Sequence, residues 1–194
     1  MEKIVVEGGV ALKGSVEISG SKNSSLPILA ATALFGGEYT INNVPRISDV
    51  ETMLKLLETL GAEAFFEGNS ISINTKKISK HEAPYDLVKT MRASVLVWGA
   101  LLGRFGRARI SFPGGCAIGD RPIDQHIKGF EALGYETTIG GGYLESISSK
   151  ETGGTYKFAV KSVTGTENLI LSSVLAKRST VLYNCAVELS LIHI

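Results

Sequence analysis

Two hydrophobic periods alternate along the chain, one of about 2 residues and one near 3.6. Residues 4–6 and 16–19 alternate β-branched and polar positions around a break at Lys13-Gly14, which predicts two short strands. The stretch Ser19-Gly20-Ser21-Lys22-Asn23-Ser24-Ser25-Leu26-Pro27 ends a strand, turns on Gly20 and opens a helix with serine caps and an early proline. That helix is expected to run to about Phe35, where Gly36-Gly37 stops it, and residues 38–42 return as a strand. A second helix, capped near Ser48 or Asp49, carries Val50, Met53, Leu54, Leu57 and Leu60 on one face and ends at Gly61. Strands over 63–66 and 70–73 then flank the turn Glu67-Gly68-Asn69.

The same order recurs. A helix is expected from Tyr85-Asp86 through Met91, Val95, Trp98 and Leu102, with Gly103 as its breaker, followed by a strand over 109–112. Asp120, Arg121 and Pro122 look like a helix start, and Ile123, Ile127, Phe130 and Leu133 continue it to Gly134. Strands over 136–139 and 143–147 close the unit. Helix ends match in pairs, Leu34-Phe35-Gly36 with Leu101-Leu102-Gly103 and Leu60-Gly61-Ala62 with Leu133-Gly134-Tyr135, giving a repeat of roughly 70 residues. A third copy begins at residues 161–168, continues as a helix over 169–176 and a strand over 180–183, and lacks its second helix and last two strands. The fold class is α/β (α+β), built of repeated βαβαββ units and truncated in the third.

With 194 residues, 44% of them hydrophobic, the chain can bury a sizeable core. Its 20 basic and 19 acidic residues show no basic block, so nucleic acid is not expected as a partner. Two cysteines, Cys116 and Cys185, are too few for a disulfide framework, and no apolar run approaches a membrane span. A soluble protein of the reducing cytoplasm is expected, with no membrane partner and no cofactor or metal.

Candidate chemistry gathers at loops that open helices. Cys116 lies among Pro113, Gly114, Gly115 and Gly119, small residues that leave a thiol accessible, a few positions from helix N–H groups and Arg121. A Gly-rich hairpin with an incidental cysteine reads equally well from the loop alone. Lys22 and Asn23 precede the first helix, Arg92 lies in the first turns of its counterpart, and Lys161 precedes the third; stacked with one hand, these groups would form an anion pocket where helix N-termini already favour negative charge. A lysine near a helix start is, taken alone, more often a solvated surface residue, and Arg92 has Asp86 or Glu131 as alternative partners. Asp124 reads as a helix-start charge, and His126 and His81 read as surface or structural, without metal-ligand spacing. Val163-Thr164-Gly165-Thr166 offers the small residues and free N–H groups of a phosphate-contacting helix start, without the P-loop pattern.

Three stretches together resemble the UDP-N-acetylglucosamine 1-carboxyvinyltransferase (UDP-N-acetylglucosamine enolpyruvyl transferase) family. They are Gly20-Ser21-Lys22-Asn23, Ala83-Pro84-Tyr85-Asp86-Leu87-Val88-Lys89-Thr90-Met91-Arg92-Ala93-Ser94, and Pro113-Gly114-Gly115-Cys116-Ala117-Ile118-Gly119-Asp120-Arg121-Pro122-Ile123-Asp124. The resemblance implies an inside-out α/β barrel fold, and transfer of the enolpyruvyl group of phosphoenolpyruvate to the 3-hydroxyl of UDP-N-acetylglucosamine, the first committed step of peptidoglycan synthesis. By the same resemblance Cys116 is the mobile acid/base and the target of fosfomycin, and Lys22 and Asn23 hold phosphoenolpyruvate, with Asn23 also near the sugar. Arg92, Arg121, Pro122, Ile123, Asp124, Gln125, Lys161, Ser162, Val163 and Thr164 contact the nucleotide sugar; the Arg121 segment takes the uracil and the Lys161 segment, variable in the family, the diphosphate.

Chains of that family are over twice this length, and their second half supplies the aspartate that removes the hydroxyl proton. The expectation is therefore that residues 1–188 are the N-terminal part of such an enzyme, inactive alone. Within it, 1–21 are strands joining a second domain and 22–188 an incomplete first domain. Residues 189–194 have no counterpart in the family and read as the translation of the transposase mosaic end used in sequencing libraries, so a non-native tail is expected. Two alternatives stay open: the shikimate-pathway enolpyruvyl transferase, which shares Gly-Ser-Lys but not Asn23 or the cysteine lid, and a non-catalytic nucleotide-sugar binding module.

Overall fold

A computed structural model describes residues 3–89, 91–112 and 123–188. The first unit comprises α1 (Lys22–Thr32), β1 (Glu38–Ile41), α2 (Ser48–Leu60), β2 (Glu63–Glu67) and β3 (Ser70–Asn74). The second comprises β4 (Glu82–Ala83), α3 (Tyr85–Val88), a 3-10 turn (Arg92–Val95), α4 (Leu96–Phe105), β5 (Arg107–Ser111), α5 (Asp124–Ala132), β6 (Tyr135–Gly140) and β7 (Tyr143–Ser148). The third holds β8 (Thr155–Lys157), α6 (Val163–Ser173) and β9 (Val181–Tyr183).

The repeat is visible in the pairing. Strands β1, β3 and β2 lie in that order, all antiparallel, and β5, β7 and β6 reproduce the order and sense. Unit two adds β4 parallel to β5, and unit three pairs β8 parallel to β9. Each parallel pair is bridged by a helix, α4 or α6, because parallel strands need a crossover connection. The matched helix ends Gly61 and Gly134 both sit at positive φ, 117° and 87°, the left-handed geometry that closes a helix most cheaply with glycine.

Helix α4 is the centre of the core. Leu96 to Leu102 are buried without exception, so it is apolar all round, as a fully enclosed helix must be. Two glycines let α6 approach it: a Cβ on Gly99 would collide with the Asn168 backbone, and one on Gly103 would lie 2.9 Å from Leu171 O. Residues 99 and 103 thus face 168 and 171–172 in rising order, so α4 and α6 run parallel. Leu34 meets Gly103, and the Arg104 guanidinium donates to Ala33 O at 3.1 Å, placing the C-terminal ends of α1 and α4 side by side. Arg104 also donates to Thr75 O at 3.2 Å and Ile78 O at 3.0 Å, tying the first sheet to the second unit.

Several expectations are corrected. Residues 4–6 and 16–19 form no strand: no neighbouring strand pairs with them among the described residues, and their apolar side chains, Ile4 and Val5 among them, are exposed. The helix expected over 85–102 is three pieces, interrupted at Lys89 and Met91. Gly103 does not break α4, because its missing side chain is what α6 requires; Gly106, at φ 67°, ends the helix instead. Helix α6 starts at Val163, within the stretch that reads as a helix start and six residues before the apolar run expected from 169, since the Ser162 hydroxyl accepts the Gly165 N–H at 3.1 Å and caps it there. The helix start expected at Asp120, Arg121 and Pro122 lies outside the described residues, as do residues 189–194; α5 is helical from Asp124.

Candidate functional site

The parallel first helices bring their N-terminal ends to one side of the molecule. Helix α5 joins them there, because Gly129 packs on Leu169 and His126 meets Thr164, so α5 also runs alongside α6 in the same sense. The third unit's Lys161, Ser162, Val163 and Thr164 lie at the head of α6, with Lys161 and Val163 exposed. Ser162 spends its hydroxyl on the Gly165 N–H, while the first-turn N–H groups of Val163 and Thr164 have no intrahelical acceptor. The end therefore keeps the partial positive charge of a helix N-terminus.

His126 is the junction of this end. It is 1% exposed, its ring lies parallel to Trp98 at 6.4 Å, and its Nε2 is 3.2 Å from Thr164 Oγ1. Burial first, and the Arg92 guanidinium second, push its pKa down to about 4, with Asp124 and then the Thr164 backbone acting in the opposite direction. The ring is accordingly neutral at pH 7 and stands among Arg92 from the second unit's first helical turn, Asp124 from α5 and Thr164 from α6. Arg92, Asp124 and Thr164, all candidates by sequence, thus act on a residue whose sequence position indicates only a surface or structural role. The signal for it lay in contacts with Trp98 and Thr164, far off in sequence, which no local pattern reveals.

Gln125 takes another part. Its Oε1 accepts from Tyr156 OH and Ala159 N, both at 3.1 Å, and its Nε2 donates to Asp124 Oδ2 at 3.0 Å. The side chain therefore holds β8 and the following loop onto α5. The Gln125 amide, and after it Lys128 at 3.5 Å, hold the Asp124 carboxyl below the usual carboxylate range. Ile123 packs half-buried against the core.

On α1, Lys22 lies 3.2 Å from Asp49, both half-exposed, and Asn23 Nδ2 is 3.4 Å from Glu188 Oε1. Glu188 follows β9 and is brought there by the Ala186 N–H, which donates to Thr166 Oγ1 at 3.1 Å. Its charge, added to burial, raises the Glu167 carboxyl to about 7. Asn23 and the front half of α6 are in this way linked across the first and third units. Asp86 is engaged by Lys89 at 2.7 Å. Cys116, Arg121 and Pro122 lie outside the described residues. Elsewhere, an open depression of about 340 Å³ crosses β1, β3 and β2 between Tyr39, Phe65 and Asn74; its charged lining residues, Glu38 and Glu63, are unsuited to an anion.

No group of His, Cys, Asp and Glu among the described residues could hold a metal ion, and no described helix is long and apolar enough to cross a membrane.

Comparison with known proteins agrees with this architecture. The chain is 53% identical over 191 residues to the UDP-N-acetylglucosamine 1-carboxyvinyltransferase of Myxococcus xanthus, covering 97% of this chain and 46% of that protein. A protein of the same name from Dichelobacter nodosus is 53% identical over 189 residues, covering 97% and 45%. The chain thus spans less than half the length of these curated relatives. Among solved structures, the enolpyruvyl transferase NikO from Streptomyces tendae superposes with a TM-score of 0.76 at 22% identity, over 94% of this chain and 43% of that one. EPSP synthase from Acinetobacter baumannii gives 0.70 at 16% identity over the same shares. The mixed α/β architecture is therefore the enolpyruvyl transferase fold. The family model described as EPSP synthase (3-phosphoshikimate 1-carboxyvinyltransferase) matches residues 6–194, and the chain belongs to that family.

Proposed function

We propose that this chain carries the N-terminal part of the active site of an enzyme that moves the enolpyruvyl group of phosphoenolpyruvate to the 3-hydroxyl of UDP-N-acetylglucosamine, releasing phosphate. The observation that carries the reading is the meeting of Arg92, Asp124 and Thr164 around the buried His126, at an end where helix N-termini favour an anion. The proteins named for this activity that match at about half identity lend it weight over the shikimate-pathway acceptor.

In this reading Arg92, Asp124, Gln125, and Lys161 to Thr164 take the nucleotide sugar, together with Arg121, Pro122 and Ile123. Lys22 and Asn23 hold phosphoenolpyruvate. Cys116 gives a proton to the methylene carbon of phosphoenolpyruvate, which leaves an oxocarbenium-like neighbour for the sugar hydroxyl to attack. The proton added to the methylene carbon then leaves again as the bond to phosphate breaks, so one acid/base group serves both steps. The place of work is the cytoplasm, where peptidoglycan precursors are made. Because the chain spans less than half of its relatives, and the resemblance puts the base for the hydroxyl proton in their second half, we expect no turnover from these 194 residues alone.

The test joins residues 1–188 to the remaining part of the Myxococcus xanthus relative and follows phosphate release. Release should require UDP-N-acetylglucosamine, fail with shikimate 3-phosphate, and vanish in Cys116→Ala. Release with the shikimate acceptor, or an active Cys116→Ala chimera, would reject the assignment. A chimera that binds UDP-N-acetylglucosamine without releasing phosphate would favour a binding module.

A further inference from the structure

We infer that His126 is a positioning residue of this nucleotide-sugar site: its Nε2–H donates to Thr164 Oγ1, so that the threonine hydroxyl keeps its own proton to donate to a ligand phosphate oxygen at the head of α6. The inference rests on the substrate reading above and deepens it.

The imidazole is 1% exposed and has two nitrogens to satisfy. Nε2 is 3.2 Å from Thr164 Oγ1, whereas Nδ1 is buried with no hydrogen-bond partner among the described residues. A neutral ring carries one proton. Placed on Nδ1, it would be a buried N–H without an acceptor among the described residues, a rarer and costlier arrangement than a bare lone pair. It would also turn Nε2 into an acceptor and draw the Thr164 proton inward, away from any ligand. With the proton on Nε2, the Nδ1 lone pair is the unpartnered group, and the positive charge of Arg92 opposes a second proton. Trp98 holds the ring in plane, and Asn168 fixes the Thr164 carbonyl at 3.0 Å, so both ends of the His126–Thr164 contact are immobilised by the core. Beside the outward N–H groups of Val163 and Thr164, the hydroxyl adds a third donor of the kind a diphosphate needs.

Two measurements on the 194-residue chain test this. Long-range proton–nitrogen NMR of the histidine-labelled protein at pH 7 reads the tautomer directly. A proton on Nε2 of His126 is expected; a proton on Nδ1, or on both nitrogens, overturns the inference. The second is a titration with UDP-N-acetylglucosamine of the parent chain, His126→Phe, Thr164→Val and the double variant. Each single change should weaken binding roughly tenfold, the double change should be no worse than either, and His126→Gln, which restores one N–H, should recover most of the loss. Independent effects that multiply in the double variant, or unchanged binding in His126→Phe, overturn it. If the parent chain does not bind the nucleotide sugar, the same titration in the chimera decides the substrate reading, while the tautomer still decides the role of His126. The tautomer likewise decides should a variant not fold.

Discussion

Asn168 clasps Gly99 from two directions: its Oδ1 accepts the Gly99 N–H at 2.7 Å, and its backbone oxygen fills the space a side chain at 99 would need. This contact fixes the distance between α4 and α6, and through α6 the position of Thr164. The same Asn168 donates from Nδ2 to Thr164 O at 3.0 Å, so packing in the core and donor placement at the site share one residue.

Gly99→Ala should therefore destabilise the chain by about 1–3 kcal/mol, since a backbone atom rather than a movable side chain opposes the added methyl. Urea unfolding measures this. Gly140→Ala, where a Cβ meets nothing within 4 Å, is the control and should stay within about 0.5 kcal/mol of the parent. Equal effects at the two positions would mean that α4 and α6 do not approach as described.

Stability should respond to pH through two buried groups that act in opposite directions. His126 falls from 6.5 to about 4 in the folded state, so between those values the unfolded chain binds more protons and stability rises with pH. Glu167 rises from 4.5 to about 7, so over that interval the folded chain binds more protons and stability falls as pH rises. Between pH 4.5 and 6.5 the two slopes oppose each other. Glu167→Gln should unmask the rise, and His126→Phe the fall. Thermal unfolding at half-unit pH steps distinguishes them, and identical profiles for the two variants would contradict both burial assignments.

How much of this was legible beforehand depends on where the determining contacts lie. The unit repeat, α2, and the hairpins β2–β3 and β6–β7 follow from apolar spacing and glycine stops, all of them local signals. Short strands β4 and β8 carry two or three residues each, too few for a period, and are defined by their parallel partners. Gly103 reads as a breaker in one dimension and as a packing notch in three. The start of α6 shows in the small residues Val163-Thr164-Gly165-Thr166 and not in the apolar spacing, because Ser162 caps a first turn before any apolar face begins. At the site, Lys22, Arg92 and Thr164 could be picked out by type and position. Gln125 and His126 could not be sorted, because Tyr156, Ala159, Trp98 and Thr164 decide their roles from other elements.

Lys22 separates a binding role from a surface one. Its ion pair with Asp49 is half-exposed, and such pairs contribute about 0–1 kcal/mol, so Lys22→Ala should leave the unfolding midpoint nearly unchanged. In the chimera with the Myxococcus xanthus relative the same change should reduce phosphate release by about a hundredfold or more, as expected when a positive charge on a reacting anion is removed. Full activity in that variant would return Lys22 to the solvated surface.

The central claim is that the heads of α1, α4, α5 and α6 make one anion-binding end, and a titration of the isotope-labelled chain with UDP-N-acetylglucosamine tests it most directly. The expected result is a set of saturable NMR shifts at Arg92, Asp124, His126, Val163 and Thr164, lost in Arg92→Ala. Shifts confined to the depression around Phe65 and Asn74, or no saturable shift at any of the five, would contradict it.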